Sequence, residues 1–128
     1  KGEVDILVAF EKLEALRCVD QLRPGGLVLV NDYKITPVTV NTGNSVYPED
    51  EILRAGIGER TGQQKWVKGM QIAESLGNVR TANVVILGAL SVLLGMEPDS
   101  WLESIQNRVP PKFIDVNRKA FEAGRNAV

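Results

Sequence analysis

The chain has 128 residues, of which 44% are hydrophobic and 24% are charged, which is enough for one domain with a substantial core. Fifteen basic residues stand against 16 acidic residues without any basic run, so nucleic acid is not an expected partner. Histidine is absent and Cys18 is the single cysteine. These counts exclude a disulfide framework, a zinc motif and an iron–sulfur cluster with four thiolate ligands, and they predict a cytoplasmic protein.

The first thirty residues have the pattern of a β-α-β unit. Val4 to Phe10 is short, apolar and rich in β-branched residues, which predicts a strand buried on both faces. Residues 12–22 carry an apolar stripe at helical spacing, and the Arg-Pro-Gly-Gly sequence at 23–26 ends the predicted helix. Residues 27–30 form the next predicted strand. We therefore expect two parallel strands joined by a right-handed crossover.

The middle of the chain is more polar and is predicted to form short elements. Residues 36–40 alternate like an edge strand, where Pro37 is tolerated, and residues 41–44 give a turn signal. A short helix is predicted for residues 48–55, followed by a mobile loop over residues 56–64.

The last third of the chain is predominantly helical. A short strand at 65–68 and a short helix at 71–76 precede a helix at 81–94 that is apolar on nearly every side, so we expect it to lie in a core or an interface. Its apolar run is about half of the roughly 20 residues that span a bilayer, so no membrane association is predicted. Further helices are predicted at 98–108 and 112–123. Gly77, Gly95 and Gly124 are expected to end the helices that precede them.

This order of elements predicts an α/β fold, namely a three-layer, Rossmann-like sandwich with a mostly parallel sheet. Residues 1–128 are assigned to one domain. Because the chain enters a predicted buried strand almost at once, we expect that sequence precedes it and that the domain is partial.

Five polar residues are candidates for a site or an interface. Glu11 and Asn31 follow the two predicted strands, and ligands bind beyond the carboxyl ends of parallel strands. Asn78, Arg80 and Asn83 surround the start of the apolar helix, where an arginine could reach a carboxylate or a phosphate. The simpler alternative for both groups is local capping of unpaired helix N–H groups.

Other conspicuous residues have simpler interpretations. The glycine-rich segment 56–62 follows a helix, whereas a phosphate-binding loop should open one, so a flexible loop is favoured over a phosphate site. Cys18 is expected to be a buried structural residue, and Trp66 and Trp101 are expected to anchor a core or an interface. No acid–base pair is supported by spacing alone, so no catalytic residue is assigned.

Several segments together resemble a known family. They are Asp5 to Arg17, Pro24-Gly25-Gly26 with Val30-Asn31, Tyr47-Pro48, Ala73 to Leu90, and Asn117 to Gly124. Nearly the whole chain is similar to the gamma-type domain of the pyruvate/2-oxoacid:ferredoxin oxidoreductases, and most similar to its indolepyruvate branch. The family's opening strand and its G-x-G-G-Q-G turn have no counterpart here.

The resemblance implies a subunit of an enzyme that oxidatively decarboxylates a 2-oxoacid, adds coenzyme A and passes electrons to ferredoxin. Thiamine diphosphate and the iron–sulfur clusters would lie on a larger partner subunit, with no cofactor on this chain. Indolepyruvate and other arylpyruvates are favoured as substrates by resemblance alone. This chain would serve assembly and would shape the site through Glu11, Asn31, Asn78, Arg80 and Asn83.

Two alternatives stay open. The parallel sheet and the 56–62 segment are compatible with a stand-alone nucleotide- or coenzyme A-binding module. A self-contained hydrolase or transferase is disfavoured, because the sequence has no histidine and no nucleophile beside a plausible base.

Overall fold

A computed structural model describes residues 2–33 and 48–128. The chain divides into two compact units, Lys1–Trp66 and Val67–Val128. Among the described residues, no helix is both long enough and apolar enough to cross a membrane. The assignment of residues 1–128 to one partial gamma-type domain stays a prediction.

The first unit contains the predicted β-α-β arrangement. Its elements are β1 (Val4–Ala9), α1 (Lys12–Cys18), β2 (Leu22–Asn31), α2 (Asp50–Gly58) and β3 (Gln63–Val67), of which only the last residue is counted in the second unit. The sheet has the order β1-β2-β3, and β1 pairs with β2 in parallel. The α/β class and the parallel sheet are therefore confirmed. The predicted edge strand at 36–40 and turn at 41–44 lie outside the described residues.

Strand β2 carries most of the buried apolar residues of this sheet, whereas β1 is more exposed than predicted. Val28, Leu29 and Val30 of β2 are fully buried, but only Ala9 of β1 is buried and Val4 is 38% exposed. Strand β1 lies at one end of the described sheet, so it has a neighbour on one side only. The prediction of a strand buried on both faces was wrong for β1.

Helix α1 ends earlier than its apolar stripe predicted. It stops at Cys18, a 3-10 turn follows at Val19–Gln21, and Leu22 already belongs to β2. Leu22 is fully buried and pairs with Val4 of β1. Burial in the sheet thus decides the conformation of a residue that also fits the helical period, because tertiary contacts outweigh weak propensity.

The Arg-Pro-Gly-Gly sequence forms an irregularity inside β2 rather than a stop between elements. Pairing passes from Val4–Leu22 to Ile6–Leu27, so β2 advances further than β1 over this stretch. Gly25 has φ +78°, which favours glycine. Its N–H donates to the Arg60 carbonyl at 3.1 Å, which ties this bulge to the segment after α2.

Helix α2 begins at Asp50 and ends at Gly58, so it includes the first three residues of the predicted mobile loop. A Cβ at Gly56 would lie 2.6 Å from Cδ1 of Leu16, so glycine permits α1 and α2 to approach closely there. Beyond α2, the buried Thr61 hydroxyl donates to the Gly26 carbonyl at 2.5 Å. The mobile-loop prediction was wrong for residues 56–58, which are helical, and for residues 63 and 64, which belong to β3.

The second unit is helical, as predicted. It contains α3 (Gly69–Ser75), a 3-10 turn (Val79–Thr81), α4 (Ala82–Leu93), α5 (Pro98–Arg108) and α6 (Pro111–Asn126). Gly77 with φ +84° follows α3, and Gly95 with φ +68° follows α4, so both predicted glycine ends are confirmed.

Helices α4 and α6 make the closest contact in the second unit. A Cβ at Gly88 would overlap the Phe121 carbonyl, and a Cβ at Gly124 would overlap the Val85 carbonyl. Both glycines therefore bring backbone against backbone. Gly124 was predicted to end the last helix, but α6 continues to Asn126 because this glycine serves the helix crossing.

Candidate functional site

Glu11 lies at the carboxyl end of β1 and caps the N-terminus of α1. Its backbone is extended, and its carboxylate accepts a hydrogen bond of 2.8 Å from the Leu13 N–H. A carboxylate here satisfies an otherwise unpaired donor and interacts favourably with the helix dipole. The capping interpretation of Glu11 is thus observed, and its role at an interface or site stays a prediction.

Asn31 ends β2 and is brought to the same edge of the sheet. Its side chain is buried, and Nδ2 donates to the Phe10 carbonyl at 3.2 Å. Asn31 therefore fixes the backbone immediately before Glu11. The structure brings these two predicted residues together, as expected for the carboxyl ends of adjacent parallel strands.

Lys12 is a further polar residue at this edge that the sequence analysis did not single out. Its Nζ lies 2.7 Å from Asp50 Oδ1 and 3.6 Å from Asp32 Oδ1, and its side chain is only 13% exposed. Burial opposes its charge, but the hydrogen bonds and charges of Asp50 and Asp32 prevail and raise the pKa of Lys12. Helical spacing gave no signal for this cluster, because its members lie in three separate parts of the chain, namely α1, the residue after β2, and α2.

A groove of about 620 Å³ runs along β1 and α1 beside this edge. Its lining includes Phe10, Glu11, Glu14, Arg17 and Cys18. Cys18 is half-buried rather than buried as predicted, because α1 ends there and its thiol reaches Glu14 Oε1 at 3.4 Å. Burial, followed by the bond to the Glu14 carboxylate, raises the pKa of this thiol. A thiol of this kind is a weak nucleophile at neutral pH.

The remaining predicted residues lie at the start of α4. Asn78 caps the 3-10 turn, because its Oδ1 accepts from the Arg80 N–H at 3.0 Å. Asn78 and Arg80 line a groove of about 530 Å³ together with Phe113 and Asn117. Arg80 and Asn83 are exposed, and Asn83 is not part of that lining. Local capping is observed for Asn78, and an interface role for all three stays a prediction.

The glycine-rich segment does not have the form of a phosphate-binding loop. Its first three residues are the last residues of α2, and Arg60 Nε donates to the Leu22 carbonyl at 2.6 Å. The Arg60 guanidinium is thus directed at the backbone of the same unit. Among the described residues, no group of three or more His, Cys, Asp or Glu side chains is arranged to hold a metal ion.

Comparison with known proteins identifies the family. The sequence matches the family described as pyruvate ferredoxin/flavodoxin oxidoreductase over residues 1–127. The chain belongs to this family. Members with similar sequences include indolepyruvate oxidoreductase subunit IorB of Pyrococcus horikoshii, at 40% identity over 130 residues, and the subunit of the same name from Thermococcus kodakarensis, at 39%.

A solved structure shows the same fold. The gamma subunit of a keto/oxoacid ferredoxin oxidoreductase from Geobacter sulfurreducens superposes with a TM-score of 0.70 at 24% identity. The match covers 98% of this chain and 64% of that subunit. The alignments with the two IorB relatives include 99% of this chain and likewise cover 64% of each relative's length.

Proposed function

We propose that this chain is part of the small, gamma-type subunit of a 2-oxoacid:ferredoxin oxidoreductase that converts indolepyruvate or related arylpyruvates to the acyl-coenzyme A. The observation that carries the proposal is the 40% identity to an indolepyruvate oxidoreductase subunit across 99% of the chain. In the complete enzyme, electrons would pass to ferredoxin. The proposed location is the cytoplasm.

The residues of this chain do not fit the redox cofactors that such an enzyme needs. An iron–sulfur cluster takes about four cysteine thiolates, and the sequence has one cysteine. The carboxylates at the edge of the sheet are engaged as a helix cap, at Glu11, and as ion-pair partners of Lys12. We therefore place thiamine diphosphate, the clusters and coenzyme A on, or against, a larger partner subunit.

The contribution of this chain would be assembly and the shaping of one wall of the site. Glu11 and Asn31 hold the junction between β1 and α1, so they fix the surface presented at the carboxyl end of the sheet. Asn78 caps the 3-10 turn that leads into α4, and Arg80 in that turn and Asn83 in α4 are exposed. Exposed arginine and asparagine side chains at a fixed helix start suit contacts with another subunit.

The stand-alone nucleotide- or coenzyme A-binding alternative has less support. It rested on the parallel sheet, which is present, and on the 56–62 segment as a loop. That segment is partly helical and bonded to β2.

The proposal is tested by native purification of the protein that carries this chain. We expect a larger subunit to copurify, with bound thiamine diphosphate and the absorption of iron–sulfur clusters. The complex should reduce ferredoxin or a viologen with indolepyruvate and coenzyme A, and neither purified subunit should do so alone. A small subunit that purifies without such a partner, or that turns over a 2-oxoacid unaided, would contradict the proposal.

A further inference from the structure

We draw no further inference here: the strongest candidate, the groove of about 530 Å³ that Arg80 and Phe113 line in the second unit, belongs to the candidate site already described, and nothing in the structure shows what covers it.

Discussion

Replacing Gly124 with alanine is expected to force helices α4 and α6 apart. The added Cβ would overlap the Val85 carbonyl oxygen and would lie 2.7 Å from the carbonyl carbon and 3.0 Å from the Ala89 nitrogen. All three contacts are backbone atoms of α4, so no side-chain rotation can relieve them. The whole helix must move.

The expected destabilisation follows from two opposing terms. Overpacking a filled core costs about 1–3 kcal/mol, and a clash with rigid backbone belongs at the upper end of that range or beyond it. Alanine in a helix interior recovers about 1 kcal/mol relative to glycine. The net loss should therefore be at least about 2 kcal/mol, which corresponds to a fall in melting temperature of roughly 10 °C for a domain of this size.

Thermal unfolding followed by circular dichroism measures this effect, and Gly58→Ala serves as the matched control. Gly58 is also helical, but a Cβ there would meet only Gln64 Nε2, at an ordinary 3.6 Å. We expect Gly58→Ala to be neutral or slightly stabilising. The backbone-contact argument would be refuted if Gly124→Ala unfolded at or above the temperature of the parent protein.

Three further predictions concern Lys12, Cys18 and Thr61. The hydrogen bond and the charge of Asp50 raise the pKa of Lys12 above its ordinary 10.5. The stability that Lys12 adds relative to Lys12→Met should therefore be constant below pH 10.5 and should fade as the pH rises through the raised pKa. Urea unfolding at several pH values would measure this change. The raised pKa of Cys18 should make its alkylation by iodoacetamide at pH 8 slower than that of free cysteine, and Glu14→Gln should accelerate it; equal rates would contradict the assignment. Thr61→Val should lose about 1–3 kcal/mol in urea unfolding, because a buried β2 carbonyl loses its donor, whereas an unchanged midpoint would show that this bond adds nothing.

The sequence predicted the bounds of three helices of the second unit well. Helix α5 has the bounds that were predicted, and α3 and α4 differ from theirs by one or two residues at either end. Proline at the start of α5 and the glycines after α3 and α4 act through local backbone geometry, so their meaning can be read without knowledge of the fold.

The errors occurred where a residue's role depends on a distant neighbour. Leu22 fits a helical stripe but is held in the sheet by Val4, and Gly124 looks like a helix end but permits the crossing of α4. In the sequence alone, a glycine in a flexible turn looks the same as a glycine at which two backbones approach closely. Only the position of the opposing backbone distinguishes the two.

The candidate site was predicted only in part, because some of its residues are also brought together from distant positions in the chain. Glu11 and Asn31 were found because strand ends can be located from sequence, and they do meet at one edge. The Lys12 ion pairs join residues 38 and 20 positions away, so no local pattern marks them. Whether Glu11, Asn31, Asn78, Arg80 and Asn83 contact a partner or a ligand stays a prediction.

Arg60 links the bulge in β2 to the end of α2. Its Nε donates to the Leu22 carbonyl at 2.6 Å, its Nη2 to the Asp20 carbonyl at 3.1 Å, and its own carbonyl accepts from Gly25. One guanidinium thereby supplies donors to carbonyls where β1 and β2 fall out of register. A surface stretch rich in proline and glycine is held by these bonds, so it should resist proteolytic nicking that its composition alone would invite.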